Sequence, residues 1–153
     1  MPLGDATKMN KEQLLGTWQI LSFRATAVNK ISYPLGERPS GYIGFSHTRF
    51  WVMLVNSTRK APGTAVLTDA EAISLMNSSA AYTGKYDADP AQTPDGIKIT
   101  IHVDTASNQA IVGADRVFYM GVEGNKLTLK SPAMVIAMSG STSVVQLEFV
   151  KAD

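Results

Sequence analysis

The 153-residue chain is 44% hydrophobic and 18% charged, with a formal net charge of +1, a balance that supports a folded core and gives nucleic acid no electrostatic footing. It has no cysteine and two histidines, which excludes disulfides, thiolate nucleophiles, cysteine-based zinc sites and a three-histidine metal cage. The length fits one domain, expected over residues 10–153 behind a flexible N-terminus at residues 1–9.

In chain order, Asn10 to Leu15 predicts a single helical turn, with Asn10 and Gln13 forming a capping box and Gly16 ending it. Thr17 to Arg24 reads as a strand rich in aromatic and aliphatic residues. Tyr33 to Gly41 is dense in turn formers and reads as a loop. Tyr42 to Phe45 and Arg49 to Val55 form a hairpin across Ser46-His47-Thr48. Asp69 to Ala80 is the one convincing helix, capped by Thr68 with Glu71. Strands then run over Ala81 to Asp87, Ile97 to Asp104, Ala110 to Val112, Arg116 to Gly121, Lys126 to Lys130, Met134 to Met138 and Ser143 to Lys151, with Ala88 to Gly96 a proline-bearing loop.

Eight to ten short strands with one or two short helices predict an all-β fold, a single antiparallel up-and-down barrel. An open sheet of that size would leave two pairing edges, which closure removes. Alternation assigns Ile97, Ile99, Ile101 and Val103, then Leu127 and Leu129, then Val145, Leu147 and Phe149 to the interior. No apolar run approaches about 18 residues, so no membrane span is expected. Residues 1 to 8 hold no signal-peptide core, which makes the cytoplasm the expected location.

The segments Leu14-Leu15-Gly16-Thr17-Trp18, Tyr33-Pro34-Leu35-Gly36-Glu37, Gly41-Tyr42-Ile43, Ser57-Thr58-Arg59, Thr68-Asp69-Ala70-Glu71-Ala72, Ala81-Tyr82-Thr83-Gly84-Lys85-Tyr86, His102-Val103-Asp104 and Gly124-Asn125-Lys126-Leu127-Thr128-Leu129 follow one another. In that order they resemble the lipocalin-like domain family of bacteria and fungi. The chain departs from the family's pattern at Thr48, where a glycine is usual, and at Leu147-Glu148-Phe149, where a tryptophan-containing strand is usual. The resemblance implies a small barrel with a central cavity for a hydrophobic small molecule. Similar barrels serve as carriers or as cofactor-free cyclases and isomerases.

Candidate site residues follow from their chemistry. His102 exchanges protons near neutral pH, although alternation groups it with the polar Lys98, Thr100 and Asp104. Tyr42, Tyr82, Tyr86 and Tyr119 combine apolar area with a hydroxyl, as a ligand pocket requires. Arg24, Arg49 and Arg116 interrupt apolar strands, and one that points inward could hold an enolate or carboxylate. Trp18 would plug one end of the barrel. The strand Arg49 to Val55 is apolar on both faces, so Trp51 and Met53 either line the cavity or form a subunit interface. His102, Arg116 and Tyr82 are the expected catalytic residues; Trp18, Tyr42, Arg49, Trp51, Met53, Tyr86 and Phe118 are the expected substrate-binding ones.

The sequence carries no Gly-x-Ser-x-Gly elbow, phosphate loop, His-Glu-x-x-His or dinucleotide fingerprint, and no cofactor or metal is expected. The leading expectation is a cofactor-independent cyclase or isomerase acting on a hydrophobic, polyketide-like molecule. The alternative is a non-catalytic carrier of a lipophilic ligand. A homodimer through Trp51 and Met53 is compatible with both.

Overall fold

Period-two alternation decides which side chains meet, and in the computed structural model it sorts them onto the two faces of one antiparallel sheet. The structure describes residues 10–28, 30–135 and 142–153. Among them lie strands β1 (Gly16–Ala27), β2 (Lys30–Ser32), β3 (Ser40–Phe45), β4 (Arg49–Val55), β5 (Ser79–Thr93), β6 (Gly96–Ala106), β7 (Asp115–Glu123), β8 (Lys126–Lys130), β9 (Met134–Val135) and β10 (Thr142–Lys151). Helix α1 (Asp69–Asn77) stands between β4 and β5, and 3-10 turns occupy Lys11–Leu14 and Gln109–Ile111. The expected N-terminal segment 1–9 and Met138 lie outside the described residues.

Eight strands pair in the order β1-β3-β4-β5-β6-β7-β8-β10, and β10 returns to pair with β1 from Trp18↔Lys151 to Thr26↔Val144. The barrel is therefore closed, with β2 and β9 as short additions on β1 and β10. The three inner sets read from alternation are all buried, with Ile99, Ile101, Leu127 and Phe149 fully inaccessible. Each such side chain contributes roughly 1.5–3 kcal/mol by leaving water.

Local signals hold at both helical caps. Asn10 and Gln13, and again Thr68 and Glu71, form reciprocal capping boxes. The β3–β4 turn does without glycine because the Ser46 hydroxyl accepts from the Thr48 and Arg49 amides at 3.3 and 2.9 Å.

Three expectations are corrected. Helix α1 stops at Asn77 rather than Ala80, because the Ser78 and Ser79 hydroxyls donate back to the Leu75 carbonyl and Ala80 is recruited to pair with Leu54. The expected loop from Ala88 to Gly96 is largely strand: β5 runs to Thr93, with a register irregularity between Ala88 and Gln92 that accommodates Pro90. Gly96, at φ +111°, closes that hairpin, and an added Cβ there would lie 2.1 Å from the Met120 carbonyl oxygen. The expected strand at Ala110 to Val112 is a 3-10 turn, because the Asn108 side chain captures the Ala110 amide at 3.0 Å.

Candidate functional site

One end of the barrel is packed solid. Trp18 is 1% exposed and its indole N–H donates to the Leu14 carbonyl at 2.8 Å. The Lys151 ammonium lies 4.5 Å from the Trp18 ring centroid and bonds the Leu15 carbonyl. Beside this plug the aromatics climb in a contact chain. Tyr86 meets Phe45 at 5.4 Å, Phe45 meets Phe50 at 5.2 Å, and Phe50 meets Tyr82 at 5.8 Å between ring centroids.

Beyond Phe50 the side chains no longer fill the interior. A cavity of about 160 Å³ remains, walled by Phe23, Val52, Phe118, Leu129, Leu147 and Phe149 among others. Its mouth is framed by Met76 and Asn77 of α1 and by Ser107, Asn108 and Ile111, where β6 gives way to the second 3-10 turn. This space is comparable to the roughly 150 Å³ engineered cavity that accepts benzene.

The polar groups of the wall are concentrated at the mouth. Tyr82 lies near the start of β5 and Arg116 near the start of β7, and both face inward among the lining residues. The Arg116 guanidinium carbon stands 5.5 Å from the Tyr82 ring centroid, a cation–π contact. Burial pushes the Tyr82 phenol up to about 12, against the opposing pull of the Arg116 charge. Among the described residues Arg116 meets no carboxylate and the Tyr82 hydroxyl forms no hydrogen bond. Among the described residues no Asp or Glu lines the cavity.

The other expected site residues lie elsewhere. His102 projects from the outer face of β6, where its Nε2 meets Asp87 and its Nδ1 meets Asp115, each at 2.7 Å. Those two carboxylates, Asp87 foremost, raise its pKa. His102, expected among the catalytic residues, therefore lies on the polar face that alternation groups it with and shares no surface with Tyr82 and Arg116 in the cavity. Arg49 is also outward, gripping Asp104 through two hydrogen bonds of 3.1 and 2.9 Å. Tyr42, Trp51 and Met53 face outward and are 42%, 41% and 58% exposed. For Trp51 and Met53 this removes the cavity-lining alternative, because the β3–β4 register turns Phe50, Val52 and Leu54 inward. The Trp51 indole instead covers Gly44, where a Cβ would fall 2.1 Å from its Nε1. Tyr86 belongs to the plugged end and donates to the Ser46 carbonyl at 2.7 Å. Of the ten expected residues, the cavity thus brings together Tyr82, Arg116 and Phe118.

Asn77, Ser107 and Asn108 were not anticipated at the mouth. Asn108 carries a local signal, since an Asn ahead of a short helical turn caps it, as its side chain does for the Ala110 amide.

A sequence profile of the lipocalin-like domain matches residues 15–151. The chain belongs to the lipocalin-like domain family. No curated protein and no solved structure matches it significantly. A lipocalin-like barrel with an apolar chamber suits a small hydrophobic ligand. Among the described residues, no helix is long and apolar enough to cross a membrane, and no group of three or more His, Asp or Glu side chains is arranged to hold a metal ion.

Proposed function

We propose that the barrel holds a small, largely apolar molecule in the chamber above Phe50. One observation carries this reading: a closed barrel that is densely packed at its Trp18 end leaves about 160 Å³ of apolar space that opens beside α1. Empty apolar volume forfeits dispersion contacts, and a guest restores them. The volume is below the 300–1,000 Å³ usual for drug-sized ligands, so a single ring or short chain fits inside and a larger molecule extends through the mouth. Titration with p-xylene, followed by amide shifts of Phe118, Leu129 and Leu147, tests the proposal. Saturable shifts that disappear in a folded Val145→Phe variant are expected; no shifts in the wild-type protein would overturn it.

A second reading, a cofactor-independent cyclase or isomerase for a polyketide-like substrate, draws support from the pairing of Tyr82 with Arg116. Both are hydrogen-bond donors that could polarise a carbonyl while the walls hold the chain folded. The described lining residues supply no neutral-pH base, because the phenol stays protonated and a guanidinium is already a cation. That balance favours holding over proton abstraction. A polyketone whose product distribution is the same with and without protein would discard the enzymatic reading and leave the binding one.

A further inference from the structure

We infer that the guest is an amphipathic anion that enters tail first, its carboxylate held at the mouth by Arg116 and its apolar body in the chamber. The inference rests on the binding reading above and adds the ligand's charge and direction. Polarity along the wall is graded. Phe23, Phe118, Leu129, Leu147 and Phe149 line it from within the barrel strands, whereas Asn77 stands on α1, Ser107 and Asn108 between β6 and the second 3-10 turn, and Tyr82 and Arg116 near the starts of β5 and β7 at the open end. A neutral guest would leave Arg116, the one lining cation among the described residues, without a counter-ion, since no described Asp or Glu shares the cavity and the nearby acids are already engaged on the outer face. Asp104 is held by Arg49, and Asp115 by His102.

A guanidinium offers a planar fork of donors that fits a carboxylate through two parallel hydrogen bonds. Partial burial strengthens such a pair relative to water. Tyr82 keeps its proton far above neutral pH and so donates to the same head group rather than repelling it. The Tyr82 ring beneath the guanidinium also limits the orientations Arg116 can take.

The matched probes are 4-methylbenzoate and 4-nitrotoluene, which have nearly the same shape and differ by one charge. At low ionic strength the carboxylate should bind about ten- to a hundredfold more tightly than the nitro compound, the range of charge-assisted hydrogen bonds. Arg116→Gln should abolish that preference while leaving 4-nitrotoluene binding in place. If Arg116→Gln does not fold, Arg116→Lys serves, and it should lower the preference because the fork is lost. Equal affinities in the wild-type protein, or an undiminished preference in either folded variant, would overturn the inference while leaving the binding reading intact. If neither probe shifts the cavity amides, the binding reading falls with it.

Discussion

Arg116 and Tyr82 meet at 5.5 Å across the interior although β6 separates their strands in the sheet. Arg116 pairs with Ile101 on one side of β6 and Tyr82 pairs with Ala106 on the other. The barrel's curvature lets two inward side chains reach over the intervening strand, and this contact places the chamber's charge at its mouth.

The Tyr82 phenol should make the fold lose stability at high pH. Its folded pKa of about 12 lies above the ordinary phenol value of 10.0, so between those values the unfolded chain ionises and the folded one does not. Stability therefore falls as pH rises through that window, by on the order of 2 kcal/mol for a shift of this size with partial solvent access through the mouth. Urea unfolding at pH 9 and pH 11 samples about half of that loss, since pH 11 lies midway through the window. Tyr82→Phe should show a flatter dependence than the wild type, and an equally steep one would remove Tyr82 as the cause.

His102 behaves in the opposite sense. Asp87 and Asp115 raise its folded pKa above the ordinary imidazole value of 6.5. The resulting stabilisation is fully present below 6.5 and is lost as pH rises through the folded value. Imidazole NMR titration should find His102 above 6.5, and Asp87→Asn should lower it more than Asp115→Asn. Because His102 faces away from the chamber, His102→Gln should leave p-xylene affinity unchanged. A tenfold loss in that variant would contradict the outward placement.

Removing the plug should be costly. Trp18→Ala deletes a side chain that is 1% exposed, together with its hydrogen bond to Leu14. Large aromatic deletions in cores cost about 3–5 kcal/mol. Denaturant unfolding that shows a loss below about 1 kcal/mol would mean that the Trp18 end collapses readily and is not the rigid floor described above.

Gly44→Ala should dislodge the Trp51 indole and leave the barrel intact, because Gly44 lies in regular strand and its added methyl would strike Trp51 Nε1 at 2.1 Å. Acrylamide quenching of fluorescence reports the change, since Trp18 is buried and Trp51 is not. Quenching should rise by roughly half or more, in keeping with an exposed and unpacked ring. Quenching identical to wild type would show that the indole does not rest on Gly44.

The sequence by itself determined most of the strands, the inner faces of those with one apolar side and the two capped helical starts, because these depend on spacings of two to four residues; the length of β5, the end of α1 and the 3-10 turn at Gln109–Ile111 were set by pairing and side-chain capture instead. Ile97 to Val103 and Val145 to Phe149 show only one apolar face, so their orientation followed directly. Alternation groups His102 with a polar face while its chemistry makes it a catalytic candidate, and only the fold shows it turned outward onto Asp87 and Asp115. The strand from Arg49 to Val55 is apolar on both faces, and there periodicity has no preference; only its register against β3 and β5 turned Phe50 inward and Trp51 outward. The same holds for the three arginines within strands. Each has the same side chain and similar neighbours, and Arg116 alone faces the chamber because its pairing with Ile101 fixes its side of the sheet. The chamber, its mouth beside α1 and the meeting of Arg116 with Tyr82 were decided by tertiary structure, since a cavity is the space that remains after eight curved strands have closed.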